Sequence, residues 1–141
     1  MSTSNKKRDT GCPVAFALDI FGDRWSLIII RDILLKGYTS YSQLLSSDER
    51  ISTNILASRL KELEESAILT KKKDPDNKRF YIYNITPKGI ELAPIIIEMV
   101  QWSARYDSNT HVQKTMLEKI KEDKQGFIQN IQDRALMRTE K

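Results

Sequence analysis

Three places along the chain hold side chains able to do chemistry. Cys12 is the sole thiol, set between Gly11 and Pro13. Ser52, Thr53, Asn54, Ser58, Arg59 and Lys61 form a polar set within one short span. Lys71, Lys72, Lys73, Asn77, Lys78 and Arg79 make a second polar set just beyond it. Each set suits a different task. A thiol at a helix start meets the positive end of the helix dipole and is disposed to react as the thiolate. Hydroxyl, amide and guanidinium groups can hydrogen-bond base edges, asparagine pairing bidentately with adenine and arginine with guanine. The segment 68–79 holds five basic and two acidic residues, a net +3 suited to neutralising phosphate. Other chemistry lacks its parts. One histidine and one cysteine cannot build a zinc site of the usual kind, and His111 stands in a polar stretch as a surface residue. Neither a glycine-rich phosphate loop nor a nucleophile-and-base set is visible. An enzyme, a metal or a cofactor is therefore not expected.

The elements that carry these residues follow from spacing and capping. Pro13 opens a short helix with Cys12 as its N-cap, Val14, Ala15, Leu18 and Phe21 as its apolar stripe, and Gly22 at its end. Asp23 caps a second helix that runs to about Leu35, stops at Gly37, and is apolar nearly all round, as a central core helix is. Ser40 followed by Gln43 reads as a capping box for a short third helix. After a polar turn over 46–50, a fourth helix starts behind Ser52 and reaches about Ser66, with Ile55, Leu56, Leu60 and Leu63 as its buried stripe. The period then changes to that of strands. Ile68–Lys73 and Arg79–Ile85 predict a β-hairpin around Pro75–Lys78. Thr86-Pro87 opens a long helix to about Tyr106, kinked at Pro94. Its Ile95, Ile96, Met99, Trp102 and Tyr106 exceed what one packing face needs, which suggests a subunit interface. Val112, Met116, Leu117, Ile120, Phe127, Ile128 and Ile131 predict further helices in the tail, separated at Gly126.

The order is helix, helix, short helix, turn, helix, hairpin, helix: a mainly α winged helix-turn-helix fold with C-terminal dimerisation helices. The fourth helix would enter the major groove, and the basic hairpin would lie against phosphate or the minor groove. We divide the chain into a flexible arm over 1–10, a winged domain over 11–106 and a helical extension over 107–141. That extension either widens a dimer interface or covers the domain's own core. The formal charge of +4 permits a polyanionic partner. A polar N-terminus, the absence of a long apolar run and a single cysteine predict a cytoplasmic protein with no membrane association.

The segments Cys12-Pro13-Val14, Gly22-Asp23-Arg24-Trp25-Ser26-Leu27, Ile51 through Glu64, and Tyr83-Asn84-Ile85-Thr86-Pro87-Lys88-Gly89, with Trp102, resemble HxlR-type transcriptional regulators of the MarR-like group. The resemblance spans about residues 11–106. It implies a homodimeric repressor or activator on an inverted repeat of double-stranded DNA, with the first helix (Val14, Leu18) and the long helix forming the dimer. It also implies a sensor of oxidants or electrophiles at Cys12. Two alternatives stand beside this. One is a regulator answering a small-molecule effector held between the long helix and the domain body, with Cys12 inert; Tyr38 and Tyr41 could line such a pocket, but read better as packing residues. The other is a winged helix used for protein–protein contact, whose neutral wing and apolar recognition face are not found in this sequence.

Overall fold

The computed structural model describes residues 10–139, so most of the expected N-terminal arm lies outside the described residues. Helix α1 spans Pro13–Phe21, with the Cys12 sulfur accepting the Ala15 amide at 3.4 Å and Pro13 in the first turn. Helix α2 spans Ser26–Lys36 and ends at Gly37, whose φ of 72° is the left-handed conformation that glycine adopts without strain. It begins later than its cap: Asp23 reaches forward to the amides of Trp25 (2.9 Å) and Ser26 (3.0 Å) and to the Ser26 hydroxyl (2.6 Å). Helix α3, Tyr41–Leu45, carries the complete Ser40–Gln43 capping box.

Helix α4 spans Thr53–Glu65 behind the Ser52 cap and buries Leu56, Leu60 and Leu63. Ile55, placed by its spacing in the buried stripe, is instead exposed. It lies about 100° around the helix from Leu56, on the flank of the packing face rather than in it. The helix closes in a Schellman arrangement, with the Ile68 amide on the Leu63 carbonyl (2.9 Å) and the Ala67 amide on that of Glu64 (3.0 Å). Strands β1 (Leu69–Lys73) and β2 (Tyr81–Ile85) pair antiparallel, from Leu69 opposite Ile85 to Lys73 opposite Tyr81. Ser40 forms a bridge to Ile82, and the Tyr83 amide donates to the Thr39 carbonyl at 2.8 Å, so the segment before α3 borders β2. A one-residue bridge has no periodicity, and the sequence does not announce it.

Two boundaries differ from expectation. The single kinked helix over 87–106 is two helices, α5 (Pro87–Ile90) and α6 (Ala93–Tyr106), with Pro94 in the first turn of α6. Pro94 has no amide hydrogen to bond the Ile90 carbonyl, and that carbonyl takes the Gln132 side-chain amide at 3.3 Å. In the tail, α7 (Lys114–Glu122) and α8 (Lys124–Thr139) separate at Asp123, not at Gly126. Gly126 lies in the first turn of α8, its amide donating to the Asp123 carboxylate at 2.9 Å, and a Cβ there would stand 2.2 Å from that carboxylate.

The core joins α2, α4, both strands, α5 and α6 to the tail. Helix α8 packs on α2, α5, α6 and β2 and buries Ile128, Ile131 and Ala135. Near its end, Arg138 donates to the Ile33 (3.0 Å) and Leu34 (3.3 Å) carbonyls at the end of α2, and Lys124 pairs with Glu98 of α6. Helix α8 thus covers part of the core within the chain.

Candidate nucleic-acid interface

The polar face of α4 is exposed through Thr53, Asn54, Ser58 and Lys61. Ser52 is occupied by capping, its hydroxyl accepting the Ile55 amide at 3.2 Å. Arg59 is drawn into the protein. Its guanidinium faces Asp23 at 3.5 Å and pairs with Glu62, leaving the side chain 23% exposed. Burial alone would raise the Asp23 pKa, but the Ser26 hydroxyl, the Trp25 and Ser26 amides and the Arg59 charge outweigh it and hold the carboxyl below its ordinary value. The turn before α4 has its own frame. Arg31 bonds buried Asp32 at 2.8 Å, Glu49 at 3.4 Å and the Ser47 hydroxyl at 3.5 Å. Arg50, missing from the expected set, stands exposed beside this turn with φ 62°. Its charge was the one signal that pointed to it.

Next to α4, the hairpin exposes Lys71, Lys72, Lys73, Asn77, Lys78 and Arg79. Strand alternation divides the lysine run between two faces. Lys71 and Lys73 stand opposite Tyr83 and Tyr81, while Lys72 stands opposite Ile82 on the other face. The Lys71 ammonium lies 4.3 Å from the Tyr81 ring centroid. Asn77 shapes the turn, its side-chain oxygen accepting the Arg79 amide at 3.2 Å.

A separate exposed set is apolar. Val14, Phe16 and Leu18 project from α1, and Ile95, Met99, Trp102 (61%) and Tyr106 (72%) from α6. The Trp102 and Tyr106 rings lie 5.4 Å apart. Ile96, expected in this set, is 5% exposed and belongs to the protomer's own interior. It lies about 90° around the helix from the Ile95–Met99–Trp102 row, on the flank that turns toward buried Ile97. Phe16 stands away from the Val14, Leu18 and Phe21 side of the helix, so the stripe does not single it out. Cys12 is exposed at the start of α1. Tyr38 and Tyr41 pack partly buried against the core, and the Tyr41 hydroxyl donates to the Thr53 carbonyl at 3.2 Å. Among the described residues, no group of His, Cys, Asp and Glu could hold a metal ion. No described helix is long and apolar enough to cross a membrane.

A short helix, a turn, a capped helix with an exposed polar face and a flanking hairpin together define a winged helix-turn-helix protein. The chain belongs to the HxlR-like helix-turn-helix family, whose model matches residues 20–111, and it is a transcriptional regulator of the helix-turn-helix type. It is similar to the HTH-type transcriptional regulator YodB of Bacillus subtilis, with 32% identity over 99 residues, 70% of this chain and 88% of YodB. The reduced form of YodB superposes with a TM-score of 0.57 at 30% identity, covering 72% of this chain and 99% of that one. The crystal structure of PA1607 gives a TM-score of 0.68 at 33% identity over 79% of this chain and 77% of its own. The redox regulator HypR, solved in its oxidized form, gives 0.57 at 26% identity over 72% and 100%.

Proposed function

We propose that this regulator binds double-stranded DNA as a homodimer on an inverted repeat, α4 in the major groove and the hairpin along the phosphates. The observation that carries the reading is the exposed polar face of α4, with Thr53, Asn54, Ser58 and Lys61 free of the core, beside the basic hairpin. In this reading Arg59 aligns α4 through Asp23, and Asn54, Ser58 and Lys61 meet the duplex. The exposed apolar residues of α1 and α6 support a twofold interface, since aromatic side chains left bare on a helix face mark an association surface. The test is binding of the full chain to duplexes selected from genomic fragments, measured by fluorescence anisotropy at low and high salt. Specific binding with a steep salt slope is expected. Equal affinity for selected and random duplex would sink the reading.

A thiol response at Cys12 is the regulatory half of the proposal. Cys12 is exposed at the first turn of α1, beside the apolar residues assigned to the dimer. Among the relatives, YodB has been solved in reduced, diamide-treated and quinone-bound forms, and HypR is named a redox regulator. Diamide or quinone should change DNA affinity of the wild type and leave Cys12→Ser unchanged. A mutant that responds like the wild type would favour a non-thiol effector instead.

A further inference from the structure

Helix α4 exposes one large apolar side chain among polar ones. Ile55 is 38% exposed although Leu56 beside it is fully buried. Ile55 stands outside the buried row of Leu56, Leu60 and Leu63. Its side chain lies outside the packing face, and isoleucine is a weaker helix former than alanine, leucine or glutamate. It also occupies the third helical position behind a serine cap, where glutamate or glutamine would close a capping box. The same chain closes that box in α3, where Gln43 stands three residues after Ser40. At α4 the local bond is forgone and hydrocarbon faces outward.

The surroundings fix what this hydrocarbon suits. Ile55 lies in the first turn of the helix, the part that helix-turn-helix proteins present to base edges. Arg59 is one turn further on the same side, and its guanidinium is engaged by Asp23 and Glu62. That row therefore offers a branched apolar group in the first turn while its arginine is held by the protein, with Asn54 and Ser58 next to it in sequence or one turn on. The apolar feature of the major-groove floor is the 5-methyl group of thymine. We infer that Ile55 packs on a thymine methyl, so that each half-site carries a thymine opposite the first turn of α4. This rests on the DNA-binding reading above.

The test needs no prior operator. The full chain selects duplexes from a random synthetic pool, in which thymine is the only source of 5-methyl groups. Each thymine of the selected half-site is then replaced singly by deoxyuridine, which removes the methyl and nothing else. The wild type should lose about fourfold in affinity at one or two positions, the worth of one buried methyl group. Ile55→Ala should bind the thymine and uracil duplexes equally, while Ile55→Val keeps the discrimination. Wild-type indifference to every replacement would overturn the inference, as would discrimination retained by Ile55→Ala. A pool from which nothing is enriched would remove the DNA-binding reading itself. Enrichment without methyl dependence removes only the role of Ile55.

Discussion

One carboxylate ties the α1–α2 turn to α4. Asp23 accepts two amides and a hydroxyl at the start of α2 while facing Arg59. Its pKa is lowered in the folded chain, so its contribution is complete above the unfolded carboxylate value of about 3.9 and is lost as the pH falls through the folded value. Asp23→Ala should cost about 1–2 kcal/mol at neutral pH, the range for a lost cap, measured by urea denaturation. The gap from the wild type should narrow in acid below pH ~4; a gap unchanged there would assign the loss to something other than the charge. Ala67 offers the opposite sign. Its φ of 64° is left-handed, which costs an L-residue about 1–2 kcal/mol. Glycine relieves that and gives back about 0.5–1 kcal/mol in chain entropy. Ala67→Gly should therefore stabilise the protein by about 0.5–1 kcal/mol, read as a higher urea midpoint. The end of α4 was legible from its pattern. The left-handed residue behind it was not, because alanine carries none of the signal that glycine gives at such a site.

At the scale of elements, capping was the most readable layer. Cys12, Ser40 and Ser52 cap as their sequence positions indicate, because a cap is settled by bonds within a few residues. Side-chain availability was less readable. Nothing local revealed that Arg59 is drawn to Asp23, a partner from a distant turn. The spacing predicts a kink at Pro94 and a break at Gly126, yet both sit inside first turns. A missing amide is harmless there, and Gly126 allows the Asp123 carboxylate to approach closely. The hairpin yields a prediction from its register. Lys72 stands alone on its face, whereas Lys71 rests on the Tyr81 ring. Lys72→Ala should weaken specific and random binding together and flatten the log–log salt slope by about 0.9, the value for one lost phosphate contact. Lys71→Ala should change the slope less. An unchanged slope in Lys72→Ala would place that strand face away from the backbone of the duplex.

Across the whole molecule, the tail and the exposed apolar face of α1 and α6 divide the apolar surplus between them. Amphipathic repeats in the tail were legible, but a repeat does not name the surface it covers, and long-range packing alone decided for α8. Ile131 is 1% exposed beneath that helix. Ile131→Ala should cost about 2–5 kcal/mol in urea denaturation, with no change in oligomeric state. Trp102→Asp places a charge on the exposed α6 face instead. It should shift sedimentation toward the monomer and make Tm independent of protein concentration, as linkage between folding and assembly requires. A mutant that sediments like the wild type would move the twofold interface elsewhere. The sheet bears on the same question. Strand β2 is bordered by β1 on one side and bridged by Ser40 on the other, which leaves β1 as the outer rim, with Lys71, Lys72 and Lys73 in succession along it. Zipping two such rims together would crowd like charges against each other, a device that guards open sheets against runaway fibre growth. Crowded copies of this chain are thereby steered away from strand-to-strand stacking, and the dimer proposed above would close through the helical side into a finite assembly.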